Sequence, residues 1–151
     1  MLINTSRFGT IDVDETRIIE FREGLLGFPH YKRFSLIQTS TDPVFFWLQS
    51  VEAADLAFVV CDPLAFVPDY AVPIRSEDAA NLEIADETDH QVLVIVNKVD
   101  DHLTGNLLGP LVIGATSKKG RQLVLTDKRY GTRFPLMPAP QKQTLAAARS
   151  A

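Results

Sequence analysis

The side chains that most often carry out chemistry are sparse in this chain and are not arranged in pairs. The three histidines, His30, His90 and His102, each lie in a predicted loop, and none stands at the spacing of a metal-binding pair. The single cysteine, Cys61, ends an apolar run, whereas a nucleophilic cysteine needs an electropositive setting and a neighbouring base. We therefore expect a buried, inert thiol, and neither a metal nor another cofactor.

The carboxylates are more numerous but lack the pattern of a catalytic pair. Six aspartates lie in predicted turns or loops: Asp62, Asp69, Asp86, Asp89, Asp100 and Asp101. None has the neighbouring residues that mark a general acid and its base. The glycine-containing stretches 24–27 and 105–109 lack the lysine and the following helix of a phosphate loop, and no Gly-x-Ser-x-Gly elbow is present. The sequence therefore makes no positive case for an enzyme.

The aromatic residues in loops favour a binding function over a catalytic one. Phe66, Tyr70 and Phe28 lie in loops that contain proline, where a ring either folds back on the core or stands out as an anchor. Folding back is the safer prediction for any one of them, but two or three on one surface would form an aromatic hot spot. Five acidic residues could form a rim that steers a basic partner: Glu52, Asp55, Asp69, Glu77 and Asp78.

Two apolar runs must position the loop that carries Phe66 and Tyr70. Residues 44–48 and 56–61 are rich in aromatic and β-branched side chains and are joined by a polar bend. An apolar run of this length, bounded by turn residues, is typical of a strand buried on both faces. We expect these strands to form the core, and the loop 62–70 that follows them to be the working surface.

The rest of the chain adds short strands and little helix. We predict an N-terminal hairpin of residues 8–13 and 17–21, strands at 34–38, 91–99, 107–116 and 121–125, an edge strand at 71–75, and polar or irregular segments at 39–43, 100–105 and 128–134. Ser76 is predicted to cap a short helix that ends near Leu82. The pattern favours a mainly β fold, a small antiparallel β-barrel-like single domain with one short helix over residues 1–134. The Pro- and Ala-rich residues 135–151 are predicted to form a flexible C-terminal tail.

The net charge and the lengths of the apolar runs disfavour two classes of function, nucleic-acid binding and insertion into a membrane. The net charge is −4, and the basic patches at 31–33, 118–121 and 128–129 are short and more typical of solvated turns than of a phosphate-binding face. Direct binding of nucleic acid is therefore disfavoured. No apolar run approaches the roughly 18 residues of a membrane span, and the N-terminus lacks the pattern of a signal peptide. We expect a cytoplasmic protein that does not enter the membrane.

Several short motifs, taken in their order, are more specific than any one of them alone. They are GLLGF at 24–28, FWLQSV at 46–51, AF at 57–58, DPLAF at 62–66, DY at 69–70, NLLGP at 106–110, GRQ at 120–122 and LTD at 125–127. Over residues 1 to 134 this set resembles the flagellar assembly factor FliW family. Gly109 stands where the family usually has alanine, and Gly114 where it often has asparagine.

The resemblance implies a small, cytoplasmic, non-enzymatic β-barrel-like protein of flagellated bacteria. Such proteins bind flagellin and the RNA-binding translational repressor CsrA. Free FliW sequesters CsrA and so relieves repression of flagellin translation, while unsecreted flagellin competes FliW away. The partner-binding residues expected from the motifs are Phe66, Asp69, Tyr70 and Asn106. A Tyr70→Ala substitution is then expected to weaken partner binding and leave the melting transition nearly unchanged.

Two other function classes stay open at this point. A small-ligand-binding barrel or an uncharacterised hydrolase would show a deep pocket with convergent carboxylates or a metal. A nucleic-acid-binding barrel would use Lys118, Lys119 and Arg121, and its affinity would fall steeply with added salt.

Overall fold

A computed structural model describes residues 1–39, 44–138 and 149–150. In chain order the elements are β1 (Leu2–Thr5), β2 (Gly9–Asp12), β3 (Ile19–Phe21), β4 (Arg33–Gln38), β5 (Phe45–Ser50), β6 (Ala57–Cys61), α1 (Ser76–Asn81), β7 (His90–Val99), β8 (His102–Gly105), β9 (Leu111–Gly114), β10 (Lys119–Gln122), β11 (Phe134–Pro138) and β12 (Arg149–Ser150). Among the described residues, no helix has the length and apolar character needed to cross a bilayer.

Seven strands close into a ring, in the order β7-β6-β5-β4-β3-β10-β9 and back to β7. All neighbours in the ring are antiparallel except β3 and β10, which run parallel. The closure depends on β7, whose first half pairs with β9 at residues 90–93 and whose second half pairs with β8 at residues 96–99. The predicted fold class, a mainly β barrel-like domain with one short helix, is confirmed.

The interior of the ring is a packed apolar core, which we call the inner core. Side chains alternate between the two faces of a strand, so every second residue points inward. Five fully buried residues from five strands meet there: Phe34, Leu48, Val60, Leu93 and Leu111. The antiparallel pairing of β5 with β6 confirms the central strand pair expected from the two apolar runs.

A second core covers the outer face of the sheet, and we call it the outer core. The alternate residues of the central strands, including Phe45, Cys61 and Val94, point outward into it. Residues 62–72 and 125–136 fold over this face and bury it. Burial on both faces is the physical reason why β5 and β6 have continuous rather than alternating apolar sequences.

The N-terminal hairpin differs from the prediction. Leu2–Thr5 pairs with Gly9–Asp12, and Ile19–Phe21 joins the ring instead of pairing with residues 8–13. The cause is local, because the Asp14 carboxylate accepts a hydrogen bond from the Thr16 N–H at 2.9 Å and starts a 3₁₀ turn rather than a hairpin turn. The hairpin packs on the outside of the barrel, where the Phe8 ring meets Trp47 edge-on at 5.9 Å.

Other strand and helix boundaries also differ from the prediction. Residues 102–105, predicted as part of a polar loop, form β8, because Asp100 adopts a φ of 55° and allows a two-residue hairpin turn after β7. Residues 71–75 are not a strand, and the strand predicted at 107–116 is reduced to Leu111–Gly114. Helix α1 begins at Ser76 but is capped by the backbone of Arg75, with no side-chain cap.

Strand β11 begins at the last residue of the predicted domain and continues into the predicted tail. Phe134–Pro138 pairs with β8, with a register shift between Pro135 and Met137, so ordered pairing extends four residues into the predicted tail. Arg149–Ser150 pairs with β4. Residues 139–148 and 151, like residues 40–43 of the predicted turn, lie outside the described residues, and the flexible tail remains a prediction there.

Candidate functional site

The loop after β6 is built by its first two residues. Asp62 accepts a hydrogen bond from the Leu64 N–H at 2.9 Å, and Pro63 occupies the first position of the resulting 3₁₀ turn. Proline fits there because it has no N–H to leave unpaired. The turn directs residues 66–70 back across the outer core.

Tyr70 is a core residue in this loop. Its side chain is 6% exposed, its ring meets Tyr130 edge-on at 5.0 Å, and its hydroxyl donates a hydrogen bond to the Leu107 carbonyl oxygen at 2.6 Å. Burial raises the pKa of the Tyr70 hydroxyl above its usual value of 10. The expectation of an exposed anchor, with a melting transition insensitive to Tyr70→Ala, is therefore corrected: Tyr70 holds the loop to the segment that follows β8.

Phe66 also folds back on the protein. Its half-buried ring lies 5.8 Å from that of Phe45 in the outer core. Phe28 packs edge-on against Phe58, 5.3 Å away, at the inner core. The three aromatic residues therefore do not share one exposed hot spot.

The Asp69 side chain is exposed and lies near the ion pair of Arg129 and Asp127. Arg129 forms an ion pair with Asp127 at 2.8 Å and places its guanidinium over the Tyr130 ring at 5.1 Å. The hydrogen bond with Asp127 is the main cause of the raised pKa of Arg129, and the Asp69 carboxylate makes a smaller contribution of the same sign. Asp69, Asp127 and Arg129 thus place charges of both signs near the buried Tyr70 and the half-buried Tyr130.

Asn106 lies next to the residue that Tyr70 binds. Its side chain is half-buried, and its Oδ1 atom is buried with no hydrogen-bond partner among the described residues. A Cβ atom at Gly109 would come within 2.7 Å of Asn106 Nδ2 and 2.8 Å of Gln122 Nε2. Glycine at position 109 therefore leaves room for two amide side chains. We call the area formed by Asp69, Asn106, Asp127 and Arg129 over Tyr70 and Tyr130 the tyrosine surface.

Leu26 is an exposed apolar residue that was not among the expected binding residues. Leu25 is buried, but Leu26 is 60% exposed at the tip of a tight turn whose next residue, Gly27, has a φ of 84°. The Leu26 N–H donates to Gln122 Oε1 at 2.8 Å, and Gln122 Nε2 donates to the Gly109 carbonyl oxygen at 2.9 Å. Gln122 thereby fixes the exposed turn beside the 106–110 segment. A glycine two residues after Leu25 was the available sequence signal.

The predicted acidic rim is not one surface, because three of its members serve the fold. Glu52 accepts backbone hydrogen bonds from Lys32 and Arg33, which hold the pKa of its carboxyl below the usual range. Asp55 accepts a hydrogen bond from the Ser6 hydroxyl, and Asp78 pairs with Arg121. Asp69 and Glu77 remain exposed and have no ion pair among the described residues.

Two of the three cations of the nucleic-acid alternative form ion pairs within the chain. Lys119 pairs with Glu83, and Arg121 reaches Asp78 at 3.2 Å and Glu23 at 3.5 Å. Lys119, Arg121 and Glu23 line a cleft of about 460 Å³ together with Glu20 and Arg22, so its walls carry both signs of charge. Cations already paired within the chain are poor ligands for a phosphate backbone.

The ligand-binding and hydrolase alternatives gain no support from the chemistry of the site. Cys61 is fully buried, and burial raises the pKa of its thiol to about 12, which leaves it protonated at neutral pH. No group of three or more His, Cys, Asp or Glu side chains is arranged to hold a metal ion in the part of the chain that the structure describes.

Comparison with known proteins identifies the family. The family model described as FliW protein matches residues 2–136. The flagellar assembly factor FliW of Magnetococcus marinus is 36% identical over 148 residues, covering 96% of this chain and 90% of its own. That of Alkaliphilus metalliredigens is 38% identical over 145 residues, covering 94% and 90%. A crystal structure of the flagellar assembly factor FliW superposes with a TM-score of 0.82 at 34% identity, covering 91% of this chain and 98% of that one. The chain belongs to the FliW family of flagellar assembly factors.

Proposed function

We propose that this protein is a cytoplasmic, non-catalytic regulator that binds flagellin and a CsrA-type repressor in turn. When flagellin is scarce, the protein binds CsrA and relieves repression of flagellin translation. When unsecreted flagellin accumulates, it binds this protein, which then acts as its chaperone. CsrA is thereby released. The observation that carries the proposal is the match to the FliW family over residues 2–136.

The tyrosine surface is the proposed contact area for one of these partners. It offers an exposed carboxylate at Asp69 and a cation at Arg129, beside the half-buried side chain of Asn106. Phe66 and Tyr70 contribute indirectly, because the half-buried ring of Phe66 and the buried ring of Tyr70 fix the loop that carries Asp69. A polar surface over a rigid aromatic base is suited to specific protein contact.

The test is a competition between the two partners. The purified protein is titrated by calorimetry with the flagellin and the CsrA of its own bacterium, first separately and then with one bound. We expect each to bind, and flagellin to displace CsrA. Absence of binding to both partners would overturn the proposal.

A charge reversal tests the surface separately. Asp69→Lys is expected to weaken at least one partner more than tenfold, because the exposed carboxylate becomes a cation beside Arg129. The matched control is Glu87→Lys, the same charge change on an exposed turn outside the tyrosine surface. Unchanged affinities in Asp69→Lys would place the contact area elsewhere on the molecule.

A further inference from the structure

The inner core is covered unevenly. The 25–28 turn packs on one part of it, with Leu25 buried in the inner core and the partly exposed Phe28 ring against Phe58. Another part of the inner core opens to a cleft of about 230 Å³. Small-molecule sites usually measure about 300–1,000 Å³, so this cleft is better matched to one or two side chains than to a free ligand.

The walls of this cleft are apolar and its rim is positive. Ile19, Leu36, Phe46 and Ile113 point inward from four strands, yet Leu36 and Phe46 are only partly buried. The rim is formed by two cations and one carboxylate, Arg17, Lys118 and Asp14. The Asp14 carboxylate keeps its charge, so the two cations leave the rim with a net charge of +1, which favours an acidic side chain of a partner.

A strand edge runs beside the cleft. Strand β3 pairs with β4 only at Phe34 and Arg33 and then turns away. The Arg33 carbonyl oxygen accepts from the Val51 N–H on the β5 side. Because hydrogen-bonding directions alternate along a strand, the N–H and C=O of Leu36 face the opposite side, which β3 has left. At Leu36, no strand of the described residues pairs with β4 on that side, which leaves an edge between β3 and β12.

The same edge already accepts a strand in this structure. Arg149 and Ser150 of the chain's own C-terminus pair antiparallel with Gln38 and Ile37. The edge is thus geometrically competent for strand addition, in which main-chain hydrogen bonds provide affinity and a pocket for alternate side chains provides specificity.

We propose that the β4 edge and the adjoining cleft form a docking site for an extended segment of a partner protein. That segment places one aliphatic or aromatic side chain in the cleft and acidic residues beside Arg17 and Lys118. Strand β12 occupies the edge in cis and competes with the partner. A second copy of this chain is a less favourable occupant, since two chains of net charge −4 repel each other. This inference does not rest on the proposed function.

The test uses the full chain and a fluorescein-labelled peptide of sequence EVLVE, with KVLVK as the charge-reversed peptide. In one variant, Arg149→Pro and Ser150→Pro together remove two donors of β12 and weaken its pairing. By fluorescence anisotropy we expect this variant to bind EVLVE at least fivefold more tightly than the wild type, and KVLVK at least fivefold more weakly than EVLVE.

A rim substitution locates the peptide. Arg17→Glu in the double-proline background is expected to weaken EVLVE at least threefold, whereas Lys98→Glu, the same change at an exposed position of β7, leaves it unaltered. Circular dichroism confirms that the variants are folded.

Four results would overturn the inference: no EVLVE binding at millimolar peptide, equal binding by wild type and double-proline variant, no effect of Arg17→Glu, or dimerisation of the double-proline variant through the edge. Titration of the same samples with flagellin and CsrA separates these results from a failure of the proposed function.

Discussion

The Tyr70 side chain joins three segments that are far apart in sequence. Its ring comes from the loop after β6, its acceptor is Leu107 after β8, and its aromatic neighbour Tyr130 precedes β11. The Leu107 N–H in turn donates to the Gly131 carbonyl oxygen at 3.1 Å. This buried network holds the tyrosine surface, so we expect Tyr70 to position its residues rather than to contact a partner.

Removing that hydroxyl should therefore cost stability. Tyr70→Phe leaves the Leu107 carbonyl oxygen without this donor in a buried site, and we expect a loss of about 1–3 kcal/mol in the free energy of unfolding. The measurement is urea denaturation followed by circular dichroism. Tyr31→Phe, at an exposed ring, is the control and should leave the midpoint unchanged. Wild-type stability combined with weaker partner binding would instead return Tyr70 to the contact surface.

At the scale of elements, the sequence predicted what depends on neighbours in the chain. The apolar runs of β5, β6 and β7 and the turn at Asp62 follow from local composition and were found. Strand β8 was missed because it is short and polar in sequence, and the burial of residues 103–105 comes from β7 and β11. Pairings such as β3 with β10 join residues about 100 positions apart, and no local pattern encodes them.

The candidate site shows the same limit. A tyrosine after Pro68 and Asp69 has the sequence of an exposed loop, and its acceptor lies 37 residues away. The sequence placed Asp69 and Asn106 among the site residues, and the tertiary fold brings their segments together through Tyr70 and Leu107.

The Glu52 carboxylate joins two turns, the one between β5 and β6 and the one before β4, and this contact can be tested by its pH dependence. Its carboxylate lies in the β5–β6 turn and accepts the N–H groups of Lys32 and Arg33 at the start of β4. Because its folded-state pKa is lowered from 4.5, its contribution to stability is present above the unfolded pKa and is lost as the pH falls through the folded value. Glu52→Gln keeps an acceptor but removes the charge, so we expect less than about 1 kcal/mol of destabilisation at pH 7.

The pH profile is the sharper measurement. Between pH 6 and pH 3, Glu52→Gln should lose less stability than the wild type, since it has no proton to gain at this position. Glu87→Gln, at an exposed turn, is the matched control. Parallel profiles for Glu52→Gln and the wild type would contradict the coupling of the two turns through this charge.

For the whole molecule, ring closure ties the two cores together. Strands β5, β6 and β7 supply side chains to both cores, one on each face. Strand β9 joins β7 to β10, so its loss would open the ring and expose the inner core. A fold of this kind is expected to unfold as one unit, because no strand of the ring can leave without breaking a pairing on each side.

Leu111→Ala tests that cooperativity at the closing strand. Leu111 is fully buried and lies opposite Leu93 across the β7–β9 pairing, so the cavity should cost about 2–5 kcal/mol. Three probes report different regions: Trp47 fluorescence, Cys61 thiol reactivity and the far-ultraviolet signal of the strands. We expect their denaturant midpoints to fall together, with an unchanged slope. Leu64→Ala, at a side chain that is 53% exposed, should shift none of them by more than about 0.5 kcal/mol. An earlier transition at Cys61 would show that the outer core melts while the ring stays closed, and an earlier transition at Trp47 would show the same for the N-terminal hairpin that packs on it.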